Sequence, residues 1–551
     1  MSITLTAAFV LIFRLSGITI PHSAKNSIPM RVYSSILFVA SACVCALLPL
    51  TGTSKCVANE RPNVIVILAD DLGYADVGFH EVTSEDVSTP NLDRLAASGV
   101  VFRNAYAASP VCSNSRLALS TGRYPQRWGA YYYGQGGLPT AERTIAEMMR
   151  DTGYRTMKVG KTHLNNGPKQ EPTKHGFEHS LAFTHHSWHY HMVSEKDVAA
   201  YERRSPGSAA RSRQAPFGPL IRDGKTKESY ENTTTTEVFG RESVEFVQQK
   251  SDKPFYLQLE FNAVHTPLTH APEQLREKYG IPSLPFDRNA DRWEYPIWDP
   301  VTQPDFNEWY EQTCHLGIAD PYGRRIYLAH LELMDTVIGE LIDALEAKGL
   351  RENTLIFFSS DNGGSNQSYA NNGDINAYKY CLMDGGIKVP MILSWPARLP
   401  RNASEDAVVT HRDLFPSLAD VLDQESHLEF DGKSVMPLLD GSVEMLHEEA
   451  LFWDCGTKNA TWITMDGDWK LVYREQERDY LVYELDAEGL VKTNFRKLPV
   501  PAGMRLYNLA DDPGELDDLA SRFPDRVELM QRAREQWRSQ MAAPISGRKA
   551  E

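Results

Sequence analysis

Short apolar strands alternate with amphipathic helices along most of this chain, and this alternation restricts the fold more than any other feature. The first strand is Asn63–Ala69, an unbroken run of apolar and β-branched residues. Such runs are typical of strands buried on both faces, as in sheets that are covered by helices. Further strands are predicted at 156–159, 255–261 and 355–360, and helices at 89–99, 140–151, 235–250 and 327–348. The pattern predicts an α/β fold with a central mixed, largely parallel sheet flanked by helices.

The chain divides into a leader, a main domain and a small C-terminal domain. We expect the main domain to span 59–445, with long surface insertions near 181–232 and 280–325 that are rich in His, Trp and Tyr. Beyond residue 445, short strands at 460–465 and 469–473 and a closing helix at 524–541 predict an α+β domain over 446–551. Its sheet is expected to be antiparallel.

The first 58 residues read as a targeting segment. Met30-Arg31 precedes an apolar run at 34–50, which is the pattern of a secretory signal peptide, and a second apolar run at 5–13 suggests that translation starts at Met30. We therefore expect a secreted or periplasmic protein without stable membrane association. The net charge of −16 argues against nucleic acid as a partner, because phosphate backbones attract basic surfaces.

Two acidic pairs follow apolar strands that are far apart in the sequence. Asp70-Asp71 comes after the first strand, and Asp361-Asn362 comes after the strand at 355–360. Either pair alone is typical of an ordinary turn. Because ligands of α/β sheets gather at the carboxyl ends of strands, the four side chains together predict a site for a hard cation, Ca²⁺ or Mg²⁺.

Cys112 lies directly before a helix-like run, with Arg116 one turn further on. Free N–H groups at a helix start and a nearby arginine would lower the pKa of a thiol. This position predicts a nucleophile or an anion site. The alternative is a small buried cysteine at a helix start, which is common in proteins.

Cationic and proton-carrying residues follow other strands. Lys161 and His163 come after the strand at 156–159, His265 comes after the strand at 255–261, and Lys379 lies ahead of a glycine-rich turn. Around a divalent cation, these side chains would form a strong anion site. Such a site suits a sulfate or phosphate ester, whose oxygens carry negative charge and whose leaving oxygen needs a proton.

The motifs in combination resemble the type I sulfatases of the alkaline-phosphatase superfamily over nearly all of the chain after the leader. The resemblance rests on Leu-Ala-Asp70-Asp71-Leu-Gly-Tyr, Cys112-x-x-Ser115-Arg116 with Thr121-Gly122-Arg123, Gly-Lys161-x-His163, His265-x-Pro, Ser-Asp361-Asn362-Gly-Gly, and Lys379 ahead of Asp384-Gly-Gly. It implies an alkaline-phosphatase-like sandwich and a sulfuric ester hydrolase. It also implies that a maturation enzyme converts Cys112 to formylglycine (3-oxoalanine).

The same resemblance implies a role for each site residue. Asp70, Asp71, Asp361 and Asn362 would bind one Ca²⁺ beside the modified Cys112. Arg116 would orient the formylglycine, whose hydrated form is the nucleophile, and His163 would handle its proton. Lys161 and Lys379 would bind sulfate oxygens, and His265 or Lys379 would protonate the leaving oxygen.

Two residues depart from the family's motif around the cysteine. Asn114 stands where Pro or Ala is usual, and Ser120 stands where Leu or Met is usual. Because the maturation enzyme reads this motif as an extended peptide, loss of the proline weakens the preset backbone. We expect Cys112 to be converted nevertheless.

Three functional readings remain open from the sequence. The first is a sulfatase that acts on a sulfated carbohydrate, since aromatic side chains of the two insertions could stack on sugar rings. The second is a phosphonate monoester or phosphodiester hydrolase of the same superfamily. The third is a catalytically silent glycan-binding relative.

Overall fold

The computed structural model of the chain describes residues 61–165, 169–183, 191–192, 220–228, 230, 233–265, 271–282, 321–424, 428–457, 460–492 and 496–545. The leader predicted at 1–58 and most of the two predicted insertions lie outside these residues, including His185, His186, Trp188 and His189. Among the described residues, no helix has the length and apolar character needed to cross a membrane.

Strands occur from the first described residues to the C-terminal region. They are β1 (Asn63–Ala69), β2 (Val100–Phe102), β3 (Ala105–Tyr106), β4 (Arg155–Lys161), β5 (His179–Phe183), β6 (His191–Met192), β7 (Leu220–Arg222), β8 (Thr226–Glu228), β9 (Thr233–Thr234), β10 (Phe255–Glu260), β11 (Thr354–Ser360), β12 (Met391–Ser394), β13 (Ala403–Glu405), β14 (Val409–Thr410), β15 (Leu451–Asp454), β16 (Thr461–Asp466), β17 (Trp469–Arg474), β18 (Arg478–Val482), β19 (Arg496–Val500) and β20 (Gly503–Asn508).

Helices occur between most of the longer strands. They are α1 (Pro90–Ala97), α2 (Cys112–Thr121), α3 (Ile145–Asp151), α4 (Thr235–Gln248), α5 (Glu273–Lys278), α6 (Gly323–Ala347), α7 (Asp384–Ile387), α8 (Leu414–Val421), α9 (Met436–Leu439) and α10 (Pro524–Ser539).

The central sheet has, within the described residues, the strand order β13-β2-β12-β11-β1-β10-β4-β5-β7-β8. Its middle strands, β11, β1, β10, β4 and β5, pair in parallel. Antiparallel pairs join β12 to β11 on one side and β7 to β5 on the other. The prediction of a mixed, largely parallel sheet is therefore confirmed.

Both faces of the central sheet are buried under helices. Along β1, Ile65 and Ile67 pack in one apolar core with residues of α1, α4 and α6. Val64, Val66 and Leu68 pack in a second core with residues of α3 and α8. Because successive side chains of a strand point to opposite faces, burial on both sides explains the continuous apolar run in the sequence.

Two boundaries differ from the prediction. The helix predicted from residue 140 starts at Ile145, because Thr144 accepts a hydrogen bond from the Glu147 backbone N–H while the Glu147 carboxylate accepts one from the Thr144 N–H. This capping box fixes the helix start.

The predicted insertion at 181–232 does not lie wholly on the surface, because its ends extend the central sheet through β5 and the β7–β8 hairpin.

The C-terminal region contains a second, antiparallel sheet of order β15-β16-β17-β20. Helix α10 packs on it, with Met530 against Leu471 and Leu506 in a small apolar core. Buried charges also join this sheet to α7. Lys470 of β17 lies 2.7 Å from carboxylate oxygens of both Asp384 and Glu515. The domain boundary at 445/446 stays a prediction.

Candidate active site

The two acidic pairs lie side by side at one edge of the central sheet. Strands β1 and β11 run in parallel with Ala69 opposite Ser360, so the residues that follow each strand leave the sheet at the same edge. The Asn362 Nδ2 donates to Asp71 Oδ1 at 2.8 Å, and the Asp71 N–H donates to Asp361 Oδ1 at 3.2 Å. All four side chains are fully buried.

Cys112 is the first residue of α2, and its side chain reaches the acidic pairs. The Cys112 Sγ lies 3.7 Å from Asp70 Oδ1 and 4.0 Å from Asp71 Oδ1. The helix starts after Val111, which has extended backbone, and ends at Gly122 in the left-handed conformation. The start of α2 therefore places the thiol against the carboxylates.

Arg116 lies one turn further along α2 and is 1% exposed. Its Nε and Nη2 lie 2.9 and 2.8 Å from Asp361 Oδ2, and its Nη1 donates to Glu260. The guanidinium is therefore held in place by carboxylates from two different strand ends. Such a fixed cation can orient a neighbouring group without rearranging during a reaction.

Two lysines contact the carboxylates of the first acidic pair. The Lys161 Nζ, at the end of β4, lies 2.5 Å from Asp70 Oδ2. The Lys379 Nζ lies 2.6 Å from Asp71 Oδ1 and 3.0 Å from Cys112 Sγ. Both ammonium groups are buried, so each carboxylate of the Asp70-Asp71 pair has a cationic partner.

The two histidines lie at the ends of neighbouring strands. The His265 Nε2 is 3.6 Å from Asp71 Oδ2. His163 comes two residues after β4, and its ring meets the ring of Tyr133 edge-on with centroids 5.7 Å apart. The structure thus brings Cys112, Arg116, Lys161, Lys379 and His265 into contact with the acidic pairs. His163 lies beside Tyr133.

The pKa of the Cys112 thiol corrects the prediction made from the helix start. Burial and the Asp361 carboxylate raise the pKa of Cys112 to about 12, and Lys161 and Lys379 offset this only in part. The prediction of a lowered pKa is therefore wrong, because it considered the helix start and Arg116 but not the burial of the thiol. An unmodified thiol in this position stays protonated near neutral pH.

Opposing effects set the pKa of the neighbouring groups. Burial raises the pKa of Asp70, but Lys161, His265 and Arg116 outweigh it and hold that pKa below its usual range. Burial and Lys379 lower the pKa of His265. An ionised carboxylate and a neutral imidazole are both forms that bind metal ions.

The oxygen donors of the site fit a hard divalent cation. One ligand atom each from Asp70, Asp71, Cys112 and His265 lies within 4.8 Å of the others. Asn362 Oδ1 is buried and has no hydrogen-bond partner among the described residues. Buried amide oxygens are rarely left without a partner, and an oxygen of this kind is a suitable Ca²⁺ ligand.

Sequence reasoning missed a buried charged group beneath the site. The Glu260 carboxylate lies between Arg116 and the Lys158 Nζ, which is 2.6 Å from it. Polar residues occur at 158, 258 and 260 within two strands that are buried at every residue except the first of β4. Charged residues inside such strands were the signal that could have identified this group.

Comparisons with known proteins agree with this geometry. An N-acetylgalactosamine-6-sulfatase of Canis lupus familiaris is 27% identical over 528 residues, which cover 88% of this chain and 87% of that protein. An arylsulfatase G of Mus musculus is 28% identical over 421 residues, 70% of each chain. Among solved structures, Ps i-CgsB in complex with k-i-k-neocarrahexaose has a TM-score of 0.69 at 27% identity, covering 89% of this chain and 96% of that one.

The family assignment rests on a longer match than any single motif. A model of the sulfatase family matches residues 62–424, which contain β1 through α8 and every site residue described above. The solved relative shares the alkaline-phosphatase-like architecture over most of the chain. The protein belongs to the sulfatase family.

Proposed function

We propose that this sulfatase hydrolyses sulfate esters of a carbohydrate, with a formylglycine derived from Cys112 as its nucleophile. The observation that carries the proposal is the contact of one cysteine with two carboxylates and a lysine at the carboxyl ends of the strands. A buried thiol with a raised pKa is a poor nucleophile, so the unmodified cysteine does not suit this role.

Asp70, Asp71, Asp361 and Asn362 would hold one Ca²⁺, together with the modified residue 112. When bound, the ion supplies positive charge for a sulfate oxygen and for the developing charge on the nucleophile. Once the carboxylates of Asp70 and Asp71 are shared with the ion, the ammonium groups of Lys161 and Lys379 can bind sulfate oxygens. Both ammonium groups lie against those carboxylates, and so beside the position proposed for the ion.

The remaining residues hold or move protons. Arg116, which is held by its bonds to Asp361 and Glu260, would orient residue 112. His163 would hold the proton that the attacking hydroxyl of residue 112 releases. His265 or Lys379 would donate a proton to the leaving alcohol oxygen. Charge on the sulfate is thereby neutralised on one side while the leaving group is protonated on the other.

Conversion of Cys112 would precede folding. All ten residues of α2 are buried, and the motif is helical in the folded chain. A maturation enzyme that reads the motif as an extended peptide needs it unfolded. We therefore propose that conversion occurs on the nascent or exported chain, and that the leader at 1–58 directs that export to the periplasm or the exterior.

The carbohydrate is proposed from the relatives. One named relative is an N-acetylgalactosamine-6-sulfatase, and the solved relative holds k-i-k-neocarrahexaose. Aromatic residues of the insertions could stack on sugar rings, as the sequence suggests. These observations support a sulfated glycan rather than a small aryl or choline sulfate as the natural substrate.

Hydrolysis rates on sulfate esters and on the corresponding phosphorus esters test the proposal. The matured protein is assayed on nitrophenyl sulfate, on a panel of sulfated glycans with their desulfated forms, and on phosphonate and phosphodiester analogues. We expect release of sulfate from glycans, with far slower turnover of the phosphorus esters. Cys112→Ala should abolish turnover, whereas Cys455→Ala, which removes another buried cysteine, should not. Faster turnover of phosphonates, or full activity of Cys112→Ala, would contradict the proposal.

A further inference from the structure

Asn114 departs from the family's motif, and its side chain makes contacts that neither proline nor alanine could make. It is the third residue of α2 and is 1% exposed. Its Nδ2 donates to the Ala130 carbonyl at 2.9 Å, and its Oδ1 accepts from Asn165 Nδ2 at 3.1 Å. Both ends of the amide are therefore used, and they join α2 to two other segments of the chain.

The same hydrogen-bond network continues into the loop 131–135. The Asn165 Nδ2 also donates to the Gln135 carbonyl at 3.0 Å, and its Oδ1 accepts from the Gly134 N–H at 3.2 Å. The Gln135 Oε1 accepts from the N–H groups of Tyr131 and Tyr132. Side-chain amides thus replace secondary structure in holding this loop.

Apolar contacts join the same three segments. Leu117, one turn beyond Asn114 on α2, packs in a small core with Ala130, Leu138 and Leu164. Asn165 follows Leu164 directly and has left-handed backbone with φ of 54°. Asparagine tolerates this conformation better than most residues, so position 165 suits both the turn and the hydrogen bonds.

The loop carries a side chain that faces the site. Tyr133 lies half-buried between the exposed Gly134 and the buried interior, and its ring meets the ring of His163 edge-on. The loop therefore joins the hydrogen-bond network of Asn114 to His163 through Tyr133.

We propose that Asn114 is a positioning residue: its amide ties the helix of Cys112 to the loop 131–135 and to Asn165, and so holds Tyr133 as a wall of the pocket that contacts the sugar of the substrate. The inference rests on the proposed function for its substrate, whereas the anchoring of the loop does not depend on activity. Asn114 would then have a role in the folded enzyme that is separate from the maturation of Cys112.

Two variants and their combination test the proposal. Asn114→Ala restores a residue that the motif accepts, and Asn165→Gly keeps the left-handed turn but removes the amide. Backbone hydrogen exchange is measured for residues 130–136, and KM and kcat are measured per formylglycine on a sulfated oligosaccharide and on nitrophenyl sulfate. Asn91→Ala, which removes a side-chain bond to Asp335 at a helix start away from the loop, is the matched control.

We expect faster exchange in the loop for both variants and a rise in KM for the oligosaccharide of about fivefold, as for the loss of one net hydrogen bond. The KM for nitrophenyl sulfate should change less. Because the two amides bond to each other, the double variant should resemble the single ones. The Asn91→Ala control should leave both exchange in the loop and KM unchanged.

Unchanged exchange in the loop, or fully additive effects on KM, would overturn the proposal. An activity loss in Asn114→Ala that is fully explained by a lower formylglycine content would also overturn it. If the wild type releases no sulfate at all, the proposed function fails, while exchange in the loop still decides whether Asn114 anchors it.

Discussion

At the residue scale, the site is defined by how its buried charges are partnered. Cys112 has the Lys379 ammonium and two carboxylates around it, so its chemistry depends on their combined effect on the thiol. The sequence predicted that the two acidic pairs meet, because each pair follows one of two strands that run in parallel. It did not predict the pKa of Cys112, because burial depends on the packing of every neighbouring element.

Glu260 illustrates a residue whose neighbours determine its charge. Burial raises the pKa of its carboxyl, but Lys158 and Arg116 outweigh it, so the pKa in the folded protein lies below the usual range. A lowered carboxyl pKa stabilises the fold above the unfolded value of about 4.3, and this contribution is lost as the pH falls through the folded pKa.

Glu260→Gln should therefore destabilise the protein by about 3 kcal/mol at pH 7, because it leaves buried cations without a countercharge. Urea unfolding measures the loss, and the difference from wild type should shrink as the pH is lowered below about 4. Glu352→Gln removes an exposed partner of Arg401 and should cost less than about 0.5 kcal/mol. Equal losses in the two variants would contradict this account of Glu260.

At the scale of elements, apolar runs located the strands well, and local capping decided where the helices begin. The strand predicted at 355–360 differs from β11 by one residue. The helix predicted from 140 starts five residues later. Thr144 and Glu147 form a capping box, and this signal for the helix start is present in the sequence. The β7–β8 hairpin was missed, because its two strands have three residues each and lack an apolar run.

Lys470 joins the C-terminal sheet to α7, which follows Lys379 in the sequence. Its ammonium lies 2.7 Å from Asp384, the first residue of α7, and from Glu515. Lys470→Met should cost about 3 kcal/mol in urea unfolding, because two buried carboxylates lose their cation. Lys497→Met removes an exposed partner of Asp479 and should cost less than about 0.5 kcal/mol. A loss for Lys470→Met no larger than that control would rule out this role.

At the scale of the whole molecule, cation binding should be coupled to stability. Ca²⁺ at about 100 times its Kd is expected to raise the free energy of unfolding by about 2.7 kcal/mol, provided that it binds only the folded state. Thermal unfolding with Ca²⁺ and with a chelator measures this. Asn362→Ala removes the Oδ1 that has no partner among the described residues, and it should reduce the shift. Asn104→Ala removes an amide that contacts Asp406 and Lys388, and it should not. Equal stability with Ca²⁺ and with chelator would argue against the site.

Cys112 should be converted only before the chain folds. Because all of α2 is buried, the folded, unmodified protein should resist the maturation enzyme, whereas a synthetic peptide that spans residues 108–125 should be converted. Mass spectrometry of position 112 after incubation measures both. Conversion of the folded protein as fast as the peptide would show that the motif is accessible after folding.

The most direct test of the central claim is the chemical state of residue 112 in active protein. The chain is produced together with a formylglycine-generating enzyme, and peptide mass spectrometry determines the fraction of Cys112 converted to 3-oxoalanine while sulfate release is measured on the same samples. The account predicts that the rate rises in proportion to the converted fraction and is absent from Cys112→Ala. Full turnover by protein in which residue 112 is an unmodified thiol would contradict it.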